Sequence, residues 1–440
     1  MKKFLCFIFV IIAFNNCLFS VIKFYLDTEY KISYNNFSNI DFDFNSNDIF
    51  EKVYSNLSLN FKTLIDNFEF CSTLLSVGEV EDNSYSSSTF TYTKYNWEQN
   101  YPYLNIKLIP FFSQVYAMYK YNVENIKLPL NIDLGEIKIN ISVGKKRKQF
   151  LEGLVVGDNG VGYNGLFFDC FVDKYFYVET MLSRVSSSSG FLDNKIFTLT
   201  TFLLGSKYFE SFDFGICSTV EKNQFLGEDK KIFYEFFITR NLKSHYYTFE
   251  YATQKGEDDN KKNYSGSLWF FKAGVLGESK FFGYSKAEVV WLLSSGGDKT
   301  SKFLPTFNKM YDGMELYGWG NFAKGNIKSL FFDLPQGYSG MFVLGFNLTV
   351  NPFKKFFSGF EYYLYSSPEA PLDKPDPSST EKTLGAKKAI GLEYGVYASY
   401  KFLSYIDIDF CYSIFIPSKN VYSSKNDPST KVSISTSVKF

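Results

Sequence analysis

The sequence has 440 residues, with 46 basic and 46 acidic side chains and a formal net charge of zero. A chain without basic excess is not built as a general nucleic-acid binder. Its single histidine, His245, nearly removes histidine-centred catalysis and multi-histidine metal sites. Aromatic residues make up 20% of the chain, including 51 Phe and 34 Tyr, which is far more than a soluble core needs.

Residues 1–20 have the pattern of a secretory signal. Lys2 and Lys3 precede an apolar stretch that is too short to span a bilayer. Leu18 at position −3 and Ser20 at position −1 favour cleavage before Val21. The alternative is lipidation at Cys17, but the residues before it make a poor lipoprotein signal. We therefore expect an exported chain.

Apolar and polar residues alternate with period two in several later segments, most clearly at 53–61, 136–144, 405–412 and 432–440. Strict alternation predicts β-strands with one wet face and one apolar face. No apolar run after the signal reaches the length that a transmembrane helix needs. The sequence therefore favours an all-β protein.

The connections between these segments alternate in length. Short turns are predicted near 172–175, 205–210, 240–245, 276–282, 351–356 and 402–405. Long hydrophilic loops are predicted near 146–163, 183–194, 220–231, 254–264, 295–338, 366–388 and 417–430. This alternation is typical of an outer-membrane barrel with tight periplasmic turns and long outer loops.

Strand counting predicts one antiparallel transmembrane β-barrel over residues 21–440, with about 18 strands and 16 as the alternative. The count takes 13 strands from residue 164 onwards, one at 136–145 and about four within 53–130. It leaves residues 21–52 open as a strand, a plug or a periplasmic tail. The terminal Phe440 follows an alternating strand and resembles the signal that such proteins present to the barrel-assembly machinery.

The order of short motifs from about residue 136 onwards resembles the alginate-export type of outer-membrane barrel. The similar segments are 141–146, 162–173, 247–256, 294–298 with the aromatics up to Trp319, 390–393 and 415–417. The resemblance implies an 18-stranded monomeric barrel with a polar lumen. Lys145 and Lys146 stand where the family has Arg-Gln, and a lysine lacks the planar fork that grips carboxylates.

The lumen is the expected working surface. Residues Lys145, Lys146, Arg147 and Lys148 close a strand near the outer mouth, where they would attract anions; a solvated loop or contact with lipid headgroups is the alternative. Charges within strands should point inward because hydrocarbon penalises them. The further pore-lining candidates are Arg184, Arg240, Glu250, Gln254, Asp407 and Asp409. Asp298 is a candidate cation ligand, with an ordinary turn acid as the alternative.

The sequence as a whole predicts an outer-membrane channel for passive diffusion of small solutes, with anions as the candidate class and the 295–338 segment as a constriction. The alternative is a plugged barrel that binds ligands through its outer loops. A third possibility is a soluble periplasmic β-protein or a lipoprotein. The expected partners are outer-membrane lipid, the barrel-assembly machinery and small solutes, and we expect a monomer. No catalytic residue, cofactor, metal site or nucleic-acid partner is predicted.

Overall fold

The computed structural model describes residues 22–39, 49–81, 109–124, 127–128, 132–133, 135–157, 162–173, 175–186, 196–208, 211–223, 230–258, 260–296, 303, 341–367, 388–418 and 427–440. The predicted signal, with Cys17, lies outside these residues and stays a prediction. No helix within these ranges is long and apolar enough to cross a membrane.

The described residues form twenty strands. Their bounds are β1 Ile22–Ser38, β2 Ile49–Ile65, β3 Phe68–Glu81, β4 Ile109–Val123, β5 Lys127–Leu128, β6 Ile132–Asp133, β7 Ile137–Lys146, β8 Tyr163–Val172, β9 Phe176–Ser186, β10 Ile196–Tyr208, β11 Phe212–Asn223, β12 Lys230–Asn241, β13 His245–Glu257, β14 Ser267–Ser279, β15 Gly283–Ser294, β16 Phe342–Phe353, β17 Phe356–Ser367, β18 Lys388–Leu403, β19 Ile406–Pro417 and β20 Ser429–Lys439.

Eighteen of these strands form one closed antiparallel sheet. Each strand pairs with its neighbour in the chain, and β1 pairs with both β2 and β20, which closes the barrel. The two short strands β5 and β6 form a separate ribbon between β4 and β7. The predicted fold class and the count of 18 are confirmed, although the barrel has three strands within 53–130 and gains its remaining strand from β1 at Ile22–Ser38.

The connections follow the predicted alternation in length. Most turns at one end of the barrel are short, such as the two residues between β2 and β3, between β16 and β17, and between β18 and β19; the exception is 124–136, which carries the β5–β6 ribbon. Most connections at the other end are longer, as in 147–162 and 295–341. The segment predicted as a loop at 254–264 is shorter than expected, because β13 continues to Glu257 and Asp258 accepts backbone hydrogen bonds from Asn260 and Lys262.

The outer wall of the barrel is apolar. Alternate residues of each strand point outward, and many large hydrophobic side chains remain exposed there. Examples are Leu166 at 51%, Leu182 at 52%, Ile216 at 55%, Tyr234 at 47% and Val275 at 59% exposure. Such a surface on a soluble protein would be an aggregation site, whereas hydrocarbon would solvate it. Because closure leaves no strand edge inside the band, the backbone groups are paired within the sheet.

The inner wall carries the opposite alternation. Along β12, Lys231, Phe233, Glu235 and Phe237 are buried, while Tyr234 and Phe236 between them are exposed. The buried inward side chains of many strands join one apolar cluster inside the barrel. Polar and charged inward side chains lie between the members of this cluster. The interior is therefore mixed in character. The family resemblance implied an interior that is polar throughout, which the structure does not have.

Candidate functional site

The segment 147–157, which we call the inner loop, folds into the barrel instead of extending away from it. Its backbone turns on itself, with Phe150 N–H donating to Val156 O at 3.1 Å and Gly153 N–H donating to Phe150 O at 2.9 Å. Gly153 has a φ of 75°, a conformation that favours glycine. The Tyr163 hydroxyl donates to Gly157 O at 2.6 Å and fixes the far end of the turn.

Apolar packing holds the middle of the inner loop. Phe150, Leu154, Val155 and Val156 are between 0 and 2% exposed. They belong to the same cluster as inward residues of β8 to β18. Burying four such side chains is worth roughly 1.5–3 kcal/mol each relative to exposure. The loop is thus a packed part of the barrel interior.

Ion pairs hold the start of the inner loop to the wall. The Lys148 ammonium lies 3.0 Å from Asp169 Oδ1 and also contacts Glu179 on the next strand. Burial opposes the charged form of Lys148, but the carboxylates of Glu179 and Asp169 outweigh it and raise its pKa. Lys146 is inward as well, 3.8 Å from Asp169.

A second ionic contact fixes the tip of the inner loop to the other side of the lumen. Both carboxylate oxygens of Glu152 lie 2.5 Å from the Lys272 ammonium on β14. The Glu152 N–H donates to Glu250 Oε1 on β13 at 2.9 Å. These strands are six or seven places along the sheet from β7, where the loop begins. The inner loop therefore crosses part of the lumen.

The predicted cluster at Lys145 to Lys148 does not act as a single basic patch. Lys145 falls on the outward register of β7, and its ammonium donates to Phe112 O at 2.8 Å. Lys146 and Lys148 are bound to carboxylates of β8 and β9. Arg147 is exposed, and its backbone N–H donates to Gln114. The strand end thus divides the cluster between the two faces of the wall.

Two predicted pore-lining arginines lie on the wrong side of the wall. Arg184 shares its register with the exposed Leu182, and Arg240 shares its register with the exposed Phe236 and Tyr234. The expectation that both point into the lumen is therefore wrong. Both stand near strand ends, where the penalty for a basic residue on the lipid face falls to roughly 0–1 kcal/mol.

The acidic and amide candidates take the inward register. Glu250 and Gln254 on β13 are 2% and 0% exposed. Asp407 and Asp409 on β19 alternate with the exposed Ile408 and Phe410. Their hydrogen-bond partners are Lys439 for Asp407 at 3.3 Å and Ser435 for Asp409 at 3.0 Å. Asp298 lies outside the described residues.

Sequence reasoning missed several inward charges. They are Glu69, Asp169, Glu179, Glu221, Lys231 and Lys272, all of which form ion pairs on the inner wall. The signal was present in the sequence, because each is a charged residue within an otherwise alternating strand. Such a residue is expected to face the lumen. Alternation does not identify the residue of opposite charge with which each of them pairs.

The 295–338 segment was predicted to constrict the lumen. Within it the structure describes residues 295–296 and Phe303. Phe303 is fully buried and packs edge-on against Phe233 of the inner wall, with ring centroids 6.0 Å apart. Its N–H donates to Ser295 O at 3.0 Å. This part of the segment thus lies against the wall inside the barrel, and the rest stays a prediction.

A closed barrel of 18 antiparallel strands, apolar outside and ion-paired inside, defines a transmembrane β-barrel of the bacterial outer-membrane type. Solved structures of this fold resemble it along almost the whole chain. Pseudomonas aeruginosa OccK8 (OprE) matches with a TM-score of 0.56 at 9% identity, covering 95% of this chain and 98% of that one. The outer membrane protein opdK of the same organism matches with a TM-score of 0.55 at 10% identity, covering 94% and 98%.

OprD of Pseudomonas aeruginosa is a further match, with a TM-score of 0.52 at 8% identity over 95% of this chain and 93% of that chain. At these identities the likeness concerns the fold. No family model matches the sequence, and no curated protein matches it.

Proposed function

We propose that this protein is an outer-membrane channel through which small solutes diffuse passively. The observation that carries the proposal is the closed 18-stranded wall with an apolar outer band and charged, paired side chains on its inner face. A barrel of this width holds more than its own side chains can fill. The structural neighbours that are outer-membrane proteins support the same assignment.

Reconstitution in a planar lipid bilayer tests the proposal. We expect discrete conductance steps with an ohmic current, since passive diffusion needs no energy source. A heat-denatured sample of the same preparation is the control. Absence of any conductance from correctly folded protein would contradict the channel.

Anion preference is a separate part of the proposal and has narrower support. Lys146 and Lys148 are bound to carboxylates and Lys145 faces outward, while Arg147 is exposed immediately after the end of β7. We expect Arg147→Gln to lower the anion-to-cation permeability ratio, with Lys145→Gln as the matched control. The resemblance to alginate-export barrels does not support anion preference. Lys145 and Lys146 occupy the positions of that family's Arg-Gln pair, and a lysine offers no guanidinium group to the lumen.

One observation favours a second function, a ligand-binding barrel with a closed lumen. The apolar residues of the inner loop are almost completely buried against the wall. At the height of this loop, at least one side of the lumen is therefore filled. In that case conductance would be absent from the intact protein and would appear when 149–156 is replaced by a short glycine-serine linker.

A further inference from the structure

Four polar side chains form a compact group on the inner wall of β15 and β16. Glu288 pairs in register with Asn347, and Lys286 pairs with Thr349. The Lys286 ammonium lies 2.9 Å from Glu288 Oε2, so the two charges cancel locally. Lys286 keeps 37% of its side chain exposed and Glu288 keeps 14%. The group is therefore accessible from the lumen and has no net charge.

A tyrosine reaches this group from one side. Tyr246 is on β13, and its ring lies across Gly274 of β14. Its hydroxyl donates to Glu288 on β15. The Lys286 ammonium stands 5.3 Å from the centre of the Tyr246 ring, within the range of a cation–π contact.

A second tyrosine reaches the group from the other side. Tyr397 is on β18, and its ring lies across Gly359 of β17. Its hydroxyl donates to Asn347 Oδ1 at 2.8 Å and lies 2.6 Å from Thr349 Oγ1. The two tyrosines thus converge on β15 and β16 from opposite directions.

The two glycines explain why the rings lie along the wall. A Cβ atom at Gly274 would overlap the Tyr246 ring, and one at Gly359 would overlap the ring of Tyr397. Without these glycines each ring would have to lift into the lumen. Both tyrosines are half-buried; each ring lies against strand backbone, and the Lys286 ammonium also stands over the Tyr246 ring.

We propose that this six-residue patch binds neutral saccharides as they pass through the lumen. The patch comprises Tyr246, Lys286, Glu288, Asn347, Thr349 and Tyr397. It spans strands β13 to β18, which corresponds to roughly 24 Å of wall at about 4.8 Å per strand. The inference rests on the proposed channel function.

The chemistry of the patch matches a saccharide on two counts. The tyrosine faces offer flat apolar area for the C–H faces of sugar rings. The group between them offers donors and acceptors of several kinds, namely a carboxylate, an amide, hydroxyls and an ammonium, which suits hydroxyls that both donate and accept. A ligand site of this kind is apolar with a few placed polar groups. The charges of Lys286 and Glu288 cancel each other, and the Glu361 carboxylate lies beside the patch, in register with Asn347.

Single-channel recording with maltotriose tests the proposal. We expect reversible, concentration-dependent interruptions of the wild-type current. Tyr246→Ala and Tyr397→Ala should each weaken the association constant about tenfold, as expected when a ring contact worth ~1.4 kcal/mol is lost. Tyr246→Phe should retain most of the affinity, because the ring face remains.

Tyr177→Ala is the matched control. Tyr177 lies across Gly205 with Lys207 5.7 Å from its ring centre, yet it does not belong to the patch. The variant should keep the wild-type association constant. An equal loss in this control, or conductance that maltotriose does not interrupt, would overturn the saccharide site while leaving the channel intact.

Calorimetry of maltotriose with the detergent-solubilised barrel gives a measurement that does not depend on conductance. Binding that Tyr397→Ala weakens and Tyr177→Ala does not would support the site even if the lumen proves closed. No heat of binding would overturn it. Failure of the channel and failure of the site are thereby distinguished.

Discussion

Many charged side chains within this barrel's strands face inward and contact an opposite charge or a hydrogen-bond partner. Glu69 accepts from Lys62 at 3.0 Å and from Lys120 at 2.7 Å, and Glu221 pairs with Lys231 at 2.7 Å. Alternation in the sequence predicts the inward direction of such residues. The prediction of an inward direction fails for Arg184 and Arg240, because a side chain near a strand end reaches water or headgroups from the outer face at little cost in free energy.

A substitution at Lys148 tests how much these ion pairs contribute to the free energy of unfolding. We expect Lys148→Met to destabilise the folded barrel by about 3–5 kcal/mol, because Asp169 and Glu179 would be left without their shared cation. The measurement is the midpoint of urea unfolding in lipid vesicles. Lys138→Gln removes the exposed pair with Glu136 and should leave the unfolding midpoint almost unchanged, because surface ion pairs contribute little to stability. Equal midpoints for the two variants would count against a structural role for Lys148.

Removing the charge of Glu288 or of Lys286 should change the ion selectivity in a defined direction. Glu288→Gln leaves the Lys286 ammonium uncompensated on the lumen wall, so the channel should become more selective for anions. Lys286→Gln leaves the carboxylate instead and should shift selectivity towards cations. Reversal potentials in a salt gradient measure both shifts, which should shrink as ionic strength rises. Shifts of the same sign in both variants would contradict the local cancellation of charge.

Among the elements, the inner loop is the one whose position determines how much of the lumen is open. Its start and its tip are held by ion pairs on strands that are far apart in the sheet, and its middle is held by apolar packing. The tip contact is the more accessible one, since Glu152 and Lys272 retain 31% and 23% of their side-chain exposure. The tip is therefore the part of the loop that should move most readily.

Removal of the tip contact should change the current. We expect Lys272→Gln to raise the frequency of brief conductance increases, because Glu152 loses its cation while the apolar anchor remains. Gln149→Ala is the control, since that side chain is exposed and its amide donates to Leu151 O of the same loop. Recordings at low salt should show the largest difference. Traces that match those of the control would show that packing alone holds the tip.

Element positions were largely predictable, and the path of the inner loop was not. Period-two alternation and polar connections located β7 to β20 closely, because each barrel strand has one face in lipid and one in the lumen. Composition predicts a long hydrophilic loop near 146–163, since residues such as Lys148 and Glu152 are polar. Those polar residues in fact contact the inner wall, and such contacts depend on the width of the closed barrel, which alternation does not encode.

At the scale of the whole molecule, the apolar band is what makes the barrel stable in a membrane and unsuited to water. The excess of aromatic residues seen in the composition is in part explained here, since Tyr234, Trp269, Phe281, Phe353 and Tyr400 are all exposed on this surface or at its turns. The composition does not reveal the charged lumenal wall in the same way, because basic and acidic groups cancel in the net charge of the chain.

The depth of the band yields a further prediction. Ile216→Arg places a charge on the lipid face in the middle of β11, at a position 55% exposed, and should cost about 2–4 kcal/mol. Phe281→Arg, at the turn before β15 and 88% exposed, should cost about 0–1 kcal/mol. Unfolding midpoints in vesicles compare the two. A similar cost at both positions would place the hydrocarbon boundary elsewhere.

The seam between β1 and β20 has a consequence for how the chain folds. Glu29 pairs with Lys439, and Thr28 and Phe440 exchange two backbone hydrogen bonds of 3.1 and 2.8 Å. These partners are separated by nearly the full length of the sequence, so the entropic cost of joining them falls on a single late step. Until β20 arrives, β1 and β19 are both unprotected edges that would pair with any other strand. Ring closure is thus the event that converts an aggregation-prone ribbon into a membrane protein.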